Sequence, residues 1–143
     1  MKSRMNRVLT VGMMLAAAVT AVPAQVQQKA LTADVPFQFY VGSHLMPQGA
    51  YRVDEAANGR IAWLRAMGQD ALQGAVTYNV IGKKVVEPAR LVFHRYGNEF
   101  FLAEIWSGTS APGKGLAVSP REEELARTGV PRIVAVIHVA YHN

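Results

Sequence analysis

Cysteine is absent from this 143-residue chain. That absence removes disulfide staples, thiolate metal ligation, thiol nucleophiles and lipid attachment through sulfur. Stability has to come from packing. Phosphate-cradling glycine motifs are missing too. "GTSAPGKG" holds glycine and lysine, but not in the Gly-x-x-x-x-Gly-Lys-Ser/Thr order, and no Gly-x-Gly-x-x-Gly opens a helix. No Gly-x-Ser-x-Gly elbow exposes a serine nucleophile. Basic residues form no block of the kind that follows a nucleic-acid backbone, which excludes nucleic acid as a partner. Nucleotide or other cofactor chemistry has no motif to rest on, so no cofactor is expected.

Long apolar runs are scarce as well. The run "VLTVGMMLAAAVTAV", residues 8–22, is fifteen residues long, against the roughly 20 that a helical membrane span needs. It follows the basic, acid-free "MKSRMNR" and precedes the small and polar "PAQVQQKA". This is the three-part layout of a secretory signal peptide. Val22 and Ala24 occupy the small-residue positions before a cut between Ala24 and Gln25. A cut after Ala21, with Pro23 close to the scissile bond, is the alternative; an uncleaved anchor is another. The division expected is a signal peptide at 1–24, a flexible mature amino terminus at 25–34, and a single β-rich domain at 35–143. Export places that domain in the periplasm or the medium, with no stable span after cleavage. Cleavage also removes Lys2, Arg4 and Arg7. The fifteen Lys/Arg fall to twelve against ten Asp/Glu, and the net charge drops from +5 to about +2.

What remains is rich in period-two alternation. "VPFQFYV" puts Val35, Phe37, Phe39 and Val41 on one face of a strand. Pro36 lacks an amide proton, so this strand starts there or lies at an edge. "AYRVDE" directs Tyr51 and Val53 inward, and "RIAWLRA" directs Ile61 and Trp63 inward. Asn58-Gly59 between them is a strong hairpin signal. "ALQGAVTYNVI" reads as a further strand with a bulge at Gly74, and "VVEPA" as a short extended piece. Residues 90–96 and 99–106 flank "GN" as a second hairpin. "SGTSAPGKG", residues 107–115, reads as a surface loop. Ser119, Pro120 and Glu122 form a capping box, with Gly129 as the stop of a helix of about nine residues. "PRIVAVIHVAYHN" then reads as a central or well-covered strand. With one short helix among some seven or eight strands, the expected fold is all-β: a mainly antiparallel sandwich or small barrel.

Candidate chemistry is thin. His94 beside Glu104 would make a base and its orienting acid, but no nucleophile accompanies them. His138 and His142 share a strand face, yet stand about 13 Å apart along it. One zinc ion bonds nitrogens at about 2 Å and cannot join both directly; His44 adds nothing the sequence can place. Asp54 and Glu55 point to opposite faces, and Glu122, Glu123 and Glu124 belong to the helix start. No catalytic, cofactor or metal residue is therefore assigned. Among Tyr40, Trp63, Tyr78, Tyr96, Phe100 and Trp106, the alternation turns Tyr40 and Tyr96 away from the presumed core. These two are the candidates for contact with a partner.

"LTADVPFQFYVGSHLMPQGAYRV" at 31–53, together with "LVFHRYGNEFFLAEIW" at 91–106, resembles a group of small predicted secreted proteins of soil bacteria, notably the Acidobacteria. The resemblance implies a signal peptide followed by a short β-rich domain. The group carries no established activity, cofactor or catalytic residue, so it transfers no site. The apolar ending at 130–143 departs from the polar, basic tail that the group often shows.

The function expected by elimination is a non-enzymatic exported protein with an interaction or structural role in the envelope or outside it. Its partner would be an envelope protein, a glycan or a lipid; the oligomeric state is left open. The alternative is a carrier of a small apolar ligand in an interior cavity lined by Phe37, Phe39, Trp63, Phe93 and Phe101. A hydrolase with an unrecognised site comes last.

Overall fold

The computed structural model describes residues 30–109 and 111–141. The signal peptide, its cut and His142 lie outside the described residues. In chain order the elements are β1 (Leu31–Val35), β2 (Phe39–Val41), β3 (His44–Met46), β4 (Gly49–Glu55), β5 (Ile61–Ala66), β6 (Leu72–Val80), β7 (Arg90–Tyr96), β8 (Glu99–Trp106), β9 (Gly113–Leu116), α1 (Pro120–Arg127), β10 (Ile133–His138) and β11 (Ala140–Tyr141). The fold is mostly β with a single short helix among the described residues.

All eleven strands join one sheet in the order β10-β7-β8-β9-β6-β5-β4-β1-β11, with β2 attached to β8 and β3 to β2. Pairings are antiparallel except β2 with β8. Two segments pass between the halves of the sheet. β6 pairs with β5 through Leu72–Val76 and with β9 through Thr77–Val80. The end of the chain pairs with β7 through β10, crosses at Val139, and pairs with β1 through β11. The sheet is not closed into a barrel, because its two ends, β10 and β11, are successive pieces of one segment rather than partners of each other.

Alternation explains the inward face. β1, β4 and β5 bury Leu31, Ala33 and Val35; Tyr51 and Val53; and Ala62, Leu64 and Ala66. Their registers stack these into layers: Ala33, Tyr51 and Ala66 share one, and Leu31, Val53 and Leu64 the next. The lower layers are filled by rings. Phe39 meets Tyr51 at 5.1 Å and Phe93 at 5.3 Å, both edge-on, while Phe37 meets Phe93 edge-on at 5.1 Å and stacks on Phe100 at 3.7 Å. Such pairs stabilise beyond their buried area by about 0.5–1.5 kcal/mol.

Several expectations change. Of the segment 25–34 expected to be flexible, residues 25–29 lie outside the described residues, and from Leu31 onward the chain is β1, buried on alternate residues. The continuous strand at 35–41 is divided, because Val35 ends β1 against β4 whereas Phe39 starts β2 against β3 and β8. Pro36 sits at that division, with no N–H to extend the ladder. Trp63 points outward and Ala62, Leu64 and Ala66 inward, the reverse of the expected face. The indole lies over Gly74 on β6, where a Cβ would come within 2.7 Å of the ring. Gly74 is thus a ring seat, and β6 pairs through it without a bulge. The register shift occurs instead in the β7–β8 pair, where Val92 faces Glu104 and Phe93 faces Leu102, leaving Ala103 extra. "VVEPA" forms no strand.

The "loop" at 107–115 runs into β9 from Gly113 onward. Its glycines mimic loop composition, but they lie beneath rings: a Cβ on Gly113 would meet Trp106 at 2.8 Å and one on Gly115 would meet Tyr78 at 2.5 Å. The final strand is not central. β10 pairs with β7 alone among the described strands, and Ile133 and Val134 are 53% and 56% exposed. The two hairpins form as expected. In the first, Gly59 takes a φ of 65° while Asn58 stays in the ordinary region, its side-chain Oδ1 accepting from the Arg60 N–H at 3.0 Å.

Candidate functional site

Following β4 from Tyr51 through Val53, the next inward position is Glu55. A charged residue at the end of an inward-facing series marks a mouth, and a cavity lies there. It has a volume of about 560 Å³ and is open on one side. Leu31, Val53, Ala62 and Ile105 give it an apolar floor, contributed by β1, β4, β5 and β8. Ser107, Thr109, Lys114 and Tyr141 stand around the opening with Glu55.

The mouth is polar but internally paired. Lys114 sits on the inward face of β9, opposite Ile105 of β8 and Asn79 of β6. Its Nζ reaches Glu55 Oε1 at 3.1 Å and donates to Asn79 Oδ1 at 2.9 Å. Ser107 and Thr109 hydroxyls are 2.9 Å apart, and Thr109 Oγ1 accepts from the Ala111 N–H at 3.2 Å. The neighbouring Asp54 turns to the other face and binds Arg52 Nε at 3.0 Å. An apolar molecule can therefore enter the floor without leaving a buried charge unpaired, while hydroxyl, carboxylate and ammonium groups meet its polar end.

The ring-lined cavity considered from the sequence does not exist where it was placed. Phe39 and Phe93 are packed into the core with Phe37 against them, Phe101 is buried beside Tyr40 and Tyr96, and Trp63 is on the outside. The open space lies at the opposite end of the same inward face, where the side chains are small or aliphatic. Its sequence signal was the series Tyr51-Val53-Glu55, together with alanine at position 62.

His94 and Glu104 are not partners. The bulge at Ala103 places Val92 opposite Glu104 and Phe101 opposite His94. Glu104 accepts instead from Trp106 Nε1 at 2.8 Å. His94 Nδ1 lies 2.7 Å from Glu122 Oε1. Glu122 does open the helix: its N–H donates to Ser119 Oγ at 3.2 Å. Its side chain, however, is the buried one of α1 and anchors the helix to β7. The capping pattern accounts for Glu122 at the helix start but not for this second role. No spacing rule links 94 to 122.

Tyr96, an expected surface contact, is only 6% exposed. Its ring meets Phe101 edge-on at 6.0 Å, and its hydroxyl donates to Glu122 Oε1 at 3.4 Å. Burial first, and the Glu122 carboxylate second, push its phenol above the ordinary tyrosine range. Tyr40 is half-buried and stacks on Phe101 at 5.0 Å. His44 and His138 are exposed on β3 and β10. Among the described residues no three His, Asp or Glu side chains gather as metal ligands would.

No family model, no curated protein and no solved structure matches this chain.

Proposed function

We propose that this protein is a non-catalytic, exported binding protein that holds a small, mainly apolar molecule bearing a polar end. The observation that carries this reading is the 560 Å³ cavity with its aliphatic floor and polar mouth. Small-molecule sites span about 300–1,000 Å³ and combine apolar walls with a few placed polar groups. The pairing of Glu55 with Lys114 at 3.1 Å supports a binding role, since each charge is already met by the other. Export to the periplasm or the medium forms part of the same proposal, resting on the layout of residues 1–24.

The test is binding of a fluorescent apolar probe, N-phenyl-1-naphthylamine, to the purified protein, alongside native mass spectrometry for a retained molecule. Saturable enhancement that is lost in Ala62→Phe, with Leu31→Phe as a second filling variant, is the expected result. Failure of the wild type to bind, or equal binding by both folded variants, would overturn it. A second reading, association with another envelope component, is favoured by the apolar and exposed Ile133, Val134 and Val136 on β10. Sedimentation of the protein with and without envelope extract separates the two readings, because that association leaves probe binding untouched.

A further inference from the structure

The connection from β6 to β7 presents apolar tips to solvent. Ile81 is 92% exposed, Val85 89% and Val86 52%. Lone exposed aliphatics are ordinary on a protein surface. Three of them within six residues, enclosing the exposed Lys83 and Lys84, are not scattered in that sense. Neither lysine ammonium has an ion-pair partner among the described residues.

The loop is also built to hold its shape. Glu87 folds back beneath it, and Oε1 accepts from the backbone N–H groups of Lys83 at 2.8 Å and Lys84 at 3.1 Å. Its other oxygen binds Arg90 Nη1 at 3.1 Å, and the Arg90 guanidinium lies 4.7 Å above the Trp106 ring. A Cβ on Gly82 would stand 2.5 Å from the Glu87 stem, so this position has no room for a side chain. The lysine amide protons are thus spent inward on one carboxylate. The bonds from Lys84, Arg90 and Lys83 hold that carboxyl below its ordinary range.

We propose that residues 81–86 dock this protein on an anionic lipid surface, with Ile81, Val85 and Val86 entering the headgroup–acyl boundary and Lys83 and Lys84 meeting lipid phosphates. The size of the patch favours lipid over protein. Three side chains fall far short of the roughly 800 Å² per partner of a stable protein interface. Shallow insertion beside basic residues needs only a few apolar tips, because anionic lipid supplies the remaining attraction. The loop also adjoins the cavity described above: Thr109, Ala111 and Pro112 line both that cavity and the smaller hollow beneath the loop. Docking would bring the mouth close to lipid, although the docking proposal stands without the cavity being a binding site.

The absence of cysteine makes the test direct. In the full chain, Val85→Cys carries the environment-sensitive label NBD, and Asp70→Cys, in the exposed turn at the other end of β6, carries it as a control. With vesicles of phosphatidylglycerol and phosphatidylcholine, the label at position 85 should shift to the blue and brighten, while that at 70 stays unchanged. Adding Lys83→Glu and Lys84→Glu should weaken partitioning about tenfold or more. Ile81→Ser with Val86→Ser should do likewise while circular dichroism stays the same. An unshifted label at 85, equal partitioning by either double variant, or equal binding to pure phosphatidylcholine would overturn the proposal. So would a blue shift produced by concentrating the protein without vesicles, which would assign the loop to self-association.

Discussion

The two ends of the inward face obey one alternation rule and reach opposite results. Around Tyr51, the inward positions carry Phe39 and Phe93, and the rings fill the space completely enough that all three are inaccessible to solvent. Around Glu55, the inward positions carry Ala62, Val53 and Ile105, and a cavity of about 560 Å³ is left. Strand direction decides which residues face inward; side-chain volume decides whether the interior is packed or hollow. Alternation alone is therefore evidence for a core, and the sizes along it must be read before a site is placed.

The contrast breaks first at Phe93. Phe93→Ala removes a fully buried ring that touches two others and should cost about 3–5 kcal/mol, read from the midpoint of urea unfolding. At the hollow end, Ile105→Val should cost about 0.5–1.5 kcal/mol. Equal losses after allowing for the atoms removed would mean that both ends are packed alike. A sharper comparison uses one substitution at two sites of β5. Ala66→Leu, beside Tyr51, overpacks a filled layer and should destabilise by about 1–3 kcal/mol. Ala62→Leu, facing the cavity, should be neutral or stabilise by up to about 2 kcal/mol while reducing probe binding.

Those alanines also show how far the sequence could be read. The strand composition, both hairpins, the inward placement of Tyr51 and Val53, and the capped helix followed from period, turn chemistry and capping. The face of β5 did not. Trp63 is the largest side chain of its segment, and period-two alternation with Ile61 points it inward. Pairing put it over Gly74 instead, a cross-strand relation invisible within either segment. β9 was hidden for the same reason, since Gly113 and Gly115 read as loop until Trp106 and Tyr78 are placed above them. Glu122 looked complete as a capping residue, and its contact with His94 depends on how α1 docks. Each miss turns on a neighbour that belongs to another element.

pH separates the ends again. Burial raises the Tyr51 phenol above the ordinary tyrosine range. The folded state thus binds this proton more tightly than the unfolded chain. Its contribution is fully present below the unfolded value of about 10 and is lost as pH rises from there through the folded value. Alkaline titration of stability should therefore show a fall above pH about 10 that Tyr51→Phe reduces. That variant also gives up the hydroxyl's bond to the Pro47 carbonyl, at about 1 kcal/mol near neutrality. The smallest effect belongs to the mouth. Lys114→Met breaks a partly exposed ion pair and should change stability by no more than about 1 kcal/mol, measured in the same unfolding assay with salt varied.

The ladder between β1 and β11 sets Leu31 beside Tyr141. Contacts so remote along the chain are entropically slow to form, whereas the β4–β5 and β7–β8 hairpins join near neighbours. Refolding should therefore protect the hairpin amides from hydrogen exchange before those of β1 and β11. That seam is then the step through which the finished molecule is gained and the first place it can come undone.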